Sequence, residues 1–383
     1  MTNASKYAQR VWTLCLLLAC CSSIVAGEMA RDVMRLAKRD HGLCAIIGTG
    51  SSETMELATD LAATGRMVVH VIALDDPSAV QLKSAARKLG LEGIVTVERL
   101  PIHPLPYRDD LVNLLVVPDG AQAKAAGLTR AEALRVVAPF GSLCIRSAGK
   151  WQITHKPVSA GMDEWTHNVH GPDGNRASAD TVVSFPLGYR WHAGLPFNIS
   201  NRERTENRYA STRGLAVTGG RCFTFSDSVI ENIKGAYSLG QSKDQYVTAR
   251  DAFNGLLLWR RKIGSVYYGG LWYMNLAPFV AVGDIVCTSS EKGGLLVLDA
   301  ATGKVRRTID TSYAPGDLLI DRGIIATATW KGGTSVGESK INRYERRRMD
   351  SGIAEGAVEA YDLKTGGRRW RHDRLATSIR SAN

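Results

Sequence analysis

The sequence predicts two folds in succession, an α/β unit built on a parallel sheet and then an all-β region of repeated four-stranded units. Three observations lead there. Apolar strand-like runs alternate with helical periodicity over residues 42–146. After Pro186 the texture changes to short β-rich runs broken by Gly and Asp turns. One hairpin signature then recurs at Asp251, Asp299 and Asp362. A chain of 383 residues has room for both units. With 44% apolar and 22% charged residues it is not a disordered polymer, and its single continuous apolar run excludes a multi-pass membrane protein. The net charge of +11 comes from scattered basic residues. No helix carries a dense Arg and Lys stripe and no aromatics interleave with them as stacking platforms, so no nucleic-acid partner is expected.

In chain order, Lys6 and Arg10 precede the run VWTLCLLLACCSSIVAG at 11–27, whose apolar heart is short for a bilayer and ends in small residues. That pattern predicts an export signal over 1–27, cleaved after Gly27, and hence a periplasmic or envelope location. LLAC at 17–20 resembles a bacterial lipobox, which makes membrane association through a lipidated Cys20 the second expectation. The mature chain keeps Cys44, Cys144, Cys222 and Cys287, too far apart for a metal knuckle and read as buried small side chains.

The α/β unit is expected over 28–150. Residues 29–42 read as a basic amphipathic helix, and GLCAIIGTGSS at 42–52 as a strand running into a glycine turn. A helix at 53–65 and the strand MVVHVIALDD at 67–76 follow. Strand, glycine turn, helix, strand and acid are the parts of a mononucleotide-binding βαβ unit. A further helix at 78–89 and strand at 93–99 lead to DLVNLLVV from Asp110 and EALRVVAPFG at 132–141. These runs resemble the class I S-adenosylmethionine-dependent methyltransferase fold, with its Rossmann-like sheet. The resemblance implies a cofactor turn at Gly48 and Gly50, Asp75 facing the ribose, and a methyltransferase activity. Ile46 stands where that family carries an acid, a third glycine is absent, and PFG replaces PGG. The expectation is therefore a degenerate, inactive domain of that kind.

Residues 151–185 have little periodicity and many turn formers and read as a linker. Within it, DEWTHNVH places His167 and His170 three apart beside Asp163. On a helical turn those imidazoles would share a face and, with a carboxylate, bind a divalent metal. The alternative is that the segment locks the chain onto the next domain by packing and backbone hydrogen bonds.

Over 186–383, DAFNG at 251–255, DAATG at 299–303 and DLKTG at 362–366 each follow an apolar strand, and each restarts a strand reaching Trp259, Arg307 or Trp370 four residues after the glycine. The Asp side chain can accept backbone N–H bonds while glycine takes the left-handed position, a hairpin signature. A second recurring unit lies upstream of each, at 215–226, 279–290 and 318–329. Two strands and two strands make a four-stranded propeller blade, with insertions at 227–246 and 330–356 and a fourth unit expected around 189–212. Three clear units fall short of a closed ring, so an incomplete propeller is expected, completed by further sequence or by other copies.

LLVLDAATGKVRR at 295–307 and VEAYDLKTGGRRWR at 358–371 resemble the pyrroloquinoline-quinone (PQQ)-type propeller repeat. The whole arrangement is similar to large exported proteins of planctomycete-type bacteria. The resemblance implies either a non-enzymatic outer-membrane assembly scaffold, binding a protein or small ligand on its propeller face, or a quinoprotein oxidoreductase that binds PQQ with calcium and acts on alcohols or sugars. The scaffold is the first expectation; the quinoprotein and the methyltransferase are the alternatives.

Overall fold

The strands at the centre of the first sheet contain no charged residue, because a parallel strand covered on both faces has no wet side. They are β1 (Gly42–Gly48) and β4 (Val112–Val117). The computed structural model describes residues 27–183, 189–193, 212–227, 245–264, 278–330, 356–373, 379 and 381. The expected leader and most of the two long insertions lie outside the described residues. Two compact units divide the chain, Met1–Lys156 and Pro157–Asn383. Among the described residues, no helix is long and apolar enough to cross a membrane.

In the first unit, helix α1 (Glu28–Ala37) precedes β1. Then come α2 (Ser52–Ala63), β2 (Met67–Ala73), α3 (Asp76–Lys88), β3 (Val95–Glu98) and β4. The unit ends with α4 (Gly120–Ala125), α5 (Arg130–Val136), β5 (Val137–Ser147) and β6 (Lys150–His155). The sheet order is β3-β2-β1-β4-β5-β6. The first five strands pair in parallel and β6 runs antiparallel to β5. This is a mixed α/β sheet of Rossmann-like order whose direction of winding reverses between β1 and β4. Four helices start on a side-chain cap: Ser51, Asp75, Asp119 and Thr129 accept from the backbone N–H three residues on. One apolar layer gathers Val33, Ile46, Leu61 and Leu82, and the other Ile47, Ile72, Leu115 and Val136. Each fully buried Leu or Ile in them contributes about 1.5–3 kcal/mol.

Two local results differ from the sequence reading. Lys150–His155, read as the start of a linker, is the edge strand β6. Its hairpin turns on Ala148 and Gly149, both at positive φ (48° and 76°), the two-residue turn that matches strand twist. The other concerns APFG, where the family that the sequence resembles carries a turn after the helix. It lies inside β5, which starts at once where α5 ends. Phe140 takes φ 64° there with its side chain 38% exposed. Its carbonyl accepts from Arg39 and its N–H donates to Lys156 O at 3.2 Å. A bulky L-residue in that region carries strain that glycine does not. Phe140→Gly is therefore expected to raise stability by about 1 kcal/mol in denaturant unfolding; a loss of stability would show that the ring does more than tolerate its position.

Glu132, buried at the start of α5, accepts the Arg135 guanidinium (2.6 and 2.9 Å) and the Leu105 N–H (2.6 Å). Hydrogen bonding to Arg135, with smaller help from Leu105, holds its carboxyl down at about 2. An acid with a depressed folded pKa stabilises fully above its unfolded value of about 4.3 and loses that contribution as pH falls toward the folded value. Wild-type stability should drop between pH 4.3 and 2 more steeply than that of Glu132→Gln; parallel curves would remove Glu132 from the acid limb.

The second unit holds three antiparallel four-stranded sheets among the described residues. Blade one is β7 (Thr212–Thr218), β8 (Arg221–Asp227), β9 (Gln245–Asp251) and β10 (Leu257–Gly264). Blade two is β11 (Phe279–Val282), β12 (Ile285–Ser289), β13 (Leu295–Asp299) and β14 (Val305–Ile309). Blade three is β15 (Ala314–Asp321), β16 (Ile324–Trp330), β17 (Gly356–Asp362) and β18 (Arg368–His372). Each is a meander in chain order, and the first strand β11 of blade two adjoins both β7 and β15. They are consistent with propeller blades and do not close into a barrel. Of the expected fourth unit, residues 189–193 are described and form no strand.

Apolar side chains fuse the blades in pairs. Phe223, Phe225 and Val247 of blade one pack with Phe279, Val286 and Leu298 of blade two. On the other side, Val280, Leu295 and Ile309 pack with Leu318, Ile320 and Tyr361 of blade three. The Asp turns form as their spacing requires: Asp251, Asp299 and Asp362 each accept the N–H three residues on (3.1, 2.8 and 2.7 Å), with Gly255, Gly303 and Gly366 at φ 75°, 68° and 76°.

Candidate functional site

Gly48 ends β1, and Gly50 lies in the turn before α2. Both positions require glycine: a Cβ on Gly48 would meet Thr54 side-chain atoms at 2.7 Å, and one on Gly50 would meet Gln81 Oε1 and, at 3.0 Å, Ser78 Cα. Asp75 is exposed and caps α3, accepting the Ser78 N–H at 2.7 Å. That bond, with Arg99 nearby, lowers its pKa. The structure thus brings the three residues to one end of the sheet, on the side where Rossmann-like folds bind ligands, but each is engaged in packing or capping. Asn113 of the DLVNLLVV run is structural too, its Oδ1 accepting the Leu43 N–H at 2.8 Å to tie β4 to β1.

His167 and His170 do not share a helical face. The chain turns back on itself between them, with Thr166 N–H and His167 N–H both donating to His170 O (2.8 and 3.1 Å) and His170 at φ 81°. His167 is 5% exposed, and its Nε2 accepts the backbone N–H of Ile320 at 3.1 Å. An N–H can only donate, so Nε2 is the bare nitrogen and Nδ1 carries the proton, 2.8 Å from Thr166 Oγ1. His170 Nε2 meets Asp163 Oδ2 at 2.7 Å while its ring stands edge-on to Trp165, centroids 5.3 Å apart. Asp163 also accepts from Ala179 N–H (2.7 Å) and Ser178 Oγ (3.0 Å). Those bonds, Ala179 first and His170 second, hold its carboxyl well below the usual range. Among the described residues no group of three or more His, Cys, Asp or Glu is placed to hold a metal ion. In the structure the two histidines act as separate fastenings: the backbone reverses between them and both nitrogens of His167 are used.

The segment locks onto the next domain by backbone hydrogen bonds, as the second of its two readings expected; which strands it reaches was not legible in the sequence. Trp165 exchanges two backbone hydrogen bonds with Val217 of β7 (2.9 and 2.7 Å). Thr166 O accepts from Ala281 N–H of β11 at 2.9 Å, and His167 Nε2 from Ile320 N–H of β15 at 3.1 Å. Three consecutive residues thus bind the first strand of three consecutive blades, each on the edge turned away from its own second strand. Glu164 extends the attachment, its carboxylate accepting Thr218 Oγ1 (2.7 Å) and Gly219 N–H (2.8 Å). The segment pins the inner edges of the blades together and fills the axial side there with the protein's own groups.

Residues 217–372 match the family model described as outer membrane protein assembly factor BamB, a stretch of less than half the chain. No curated protein matches. Among solved structures, the chain is similar to the [4+2]-cyclase SpnF at 20% identity over 32% of this chain and 47% of that one, TM-score 0.26. It is also similar to geranyl diphosphate C-methyltransferase from Streptomyces coelicolor A3(2) at 15% over 30% and 44%, TM-score 0.25. BamB from Moraxella catarrhalis follows at 17% over 40% and 33%, TM-score 0.22. The chain spans less than half the length of each of these three. The second unit is a propeller-like region resembling BamB and PQQ-type scaffolds, and the first is a sheet of Rossmann-like strand order.

Replacing His167 by Leu keeps the volume roughly constant but orphans the Ile320 N–H, which costs about 1–3 kcal/mol when buried. Thermal unfolding of His167→Leu should show that loss, and added zinc should leave the wild-type transition where it is. A zinc-dependent rise abolished by the substitution would restore the metal reading.

Proposed function

We propose that the chain is an exported scaffold or binding protein of the cell envelope, in which the propeller blades present a face to a protein or small-molecule partner and the α/β unit is structural. The observation that carries this reading is the occupied axial edge: residues 164–167 sit where the first strands of the blades converge. A quinoprotein oxidoreductase acting on alcohols or sugars would need a carboxylate base, calcium ligands and ring-stacking residues for PQQ converging on that axis. The axial carboxylate here, Glu164, is spent on Thr218 and Gly219. The match to a family described as an outer membrane assembly factor supports the scaffold. The capping role of Asp75 counts against a methyltransferase.

Export follows from the leader, with Cys20 as the point of membrane association if it is lipidated. Intact mass of the secreted product should place the mature N-terminus at Glu28, or at a lipid-modified Cys20; retention of an unprocessed chain in the cytoplasm would overturn export. Equilibrium dialysis should find no saturable uptake of S-adenosylmethionine, and none of PQQ in the presence of calcium. Stoichiometric binding of the former lost in Asp75→Ala, or of the latter followed by dye reduction with an alcohol, would replace the scaffold by an enzyme.

A further inference from the structure

The pin on blade three is made by a group that titrates. On β7 and β11 the segment uses main-chain atoms, Trp165 with Val217 and Thr166 O with Ala281 N–H, but on β15 the acceptor of the Ile320 N–H is His167 Nε2 at 3.1 Å. A carbonyl oxygen accepts throughout the physiological range of pH, an imidazole nitrogen only while it is bare. The tautomer is fixed from the other side of the ring. Nδ1 carries the proton and lies 2.8 Å from Thr166 Oγ1, and that hydroxyl passes its own hydrogen to His170 O at 3.3 Å.

The donor to Nε2 is a peptide N–H, which cannot turn round and accept as a hydroxyl or a water can. A second proton on the ring would set two N–H groups against each other across that bond, at a side chain buried from water. The charged groups of the surrounding elements are engaged with other partners. On the segment itself, Asp163 holds His170, Ala179 and Ser178, and Glu164 holds Thr218 and Gly219. On β15, Asp317 accepts from the Leu318 and Ile379 N–H groups, and Asp321 from Arg322 and Ser381. Strand β11, FVAV, carries no ionisable side chain.

We propose that His167 is an acid-released latch: protonation at Nε2 breaks the bond to Ile320, lifts the segment from β15 and opens the inner edges of the blades. Only the released ring takes the proton, at about 6.5 for an exposed imidazole. The pin therefore holds fully above that value and is lost as pH falls below it, weakening by about tenfold on reaching a pH of about 5.5. The latch works in this way whatever the propeller face binds.

Amide hydrogen exchange of the whole chain at a pH of about 7.5 and of about 5.5, expressed as protection factors so that the intrinsic pH dependence of exchange drops out, measures the latch. Protection at Ile320, and with it at Val217 and Ala281, should fall about tenfold between the two and return on neutralisation. Acid then does reversibly what His167→Leu does at neutral pH, while the amides of β13, inside its sheet, stay protected. His167→Gln offers an amide oxygen near the Nε2 position and should hold all three amides at both pH values. His170→Gln should keep the wild-type response. Ring nitrogen chemical shifts of the wild-type protein at neutral pH, which need no variant to fold, should show Nδ1 protonated and Nε2 bare. Wild-type protection that ignores pH, a loss in His167→Gln that follows pH as the wild type does, a response abolished by His170→Gln, or a ring protonated at Nε2 at neutral pH overturns the proposal.

Discussion

Three backbone N–H groups, on Val217, Ala281 and Ile320, hold the second unit to a common reference, because each is taken up by one of the consecutive residues 165–167. A sheet of four strands is internally satisfied, but its first strand keeps one edge of unpaired donors and acceptors, and three such edges meet at the axis. Water can satisfy them without fixing any angle between blades. A single extended segment satisfies them and also sets the blades' relative register, since its residues are a fixed 3.8 Å apart from one Cα to the next. At the periphery Trp259 and Arg307 then have a defined turn to reach, at Gly303 and Gly366 of the following blade. Pin at the axis, apolar layers between the blades and these side chains at the rim act on the same two interfaces, which makes the array of blades one structure instead of three marginal meanders.

In the first unit the same economy appears in another form. The turn after β1 is packed by the protein's own groups, with Thr54 beside Gly48 and Gln81 beside Gly50, and Asp75 caps its own helix. What remains is a well-capped α/β sheet with two full apolar layers, in which Phe140 and Ala148 are among the non-glycine residues held at positive φ.

The legibility of all this in the amino-acid sequence followed the range of the interactions. Asp299 and Gly303 announce their hairpin because cap and left-handed glycine act within five residues, and the alternation of strand and helix over 42–146 reflects local burial. Helix starts at Ser51 and Thr129 are local in the same way. The pin is not local. It rests on main-chain groups of Trp165 and Thr166 that any sequence possesses, and on a histidine nitrogen serving as an acceptor 153 positions away from its donor, so DEWTH carried two chemical readings with nothing in spacing to choose between them. Reading KWQITH as a linker failed for a related reason: six residues of an edge strand carry weak periodicity, and the hairpin that seats them turns on an alanine at positive φ, a residue no turn preference would select.

The account stands on the pin, and amide hydrogen exchange measures it at single residues. Val217, Ala281 and Ile320 each direct their N–H away from their own blade, so without the pin these amides would exchange as open edge positions. If residues 165–167 hold the blades, all three are protected to the level of the strand interiors and lose protection together when the attachment is cut by His167→Leu. Fast exchange at all three in the intact chain would contradict it.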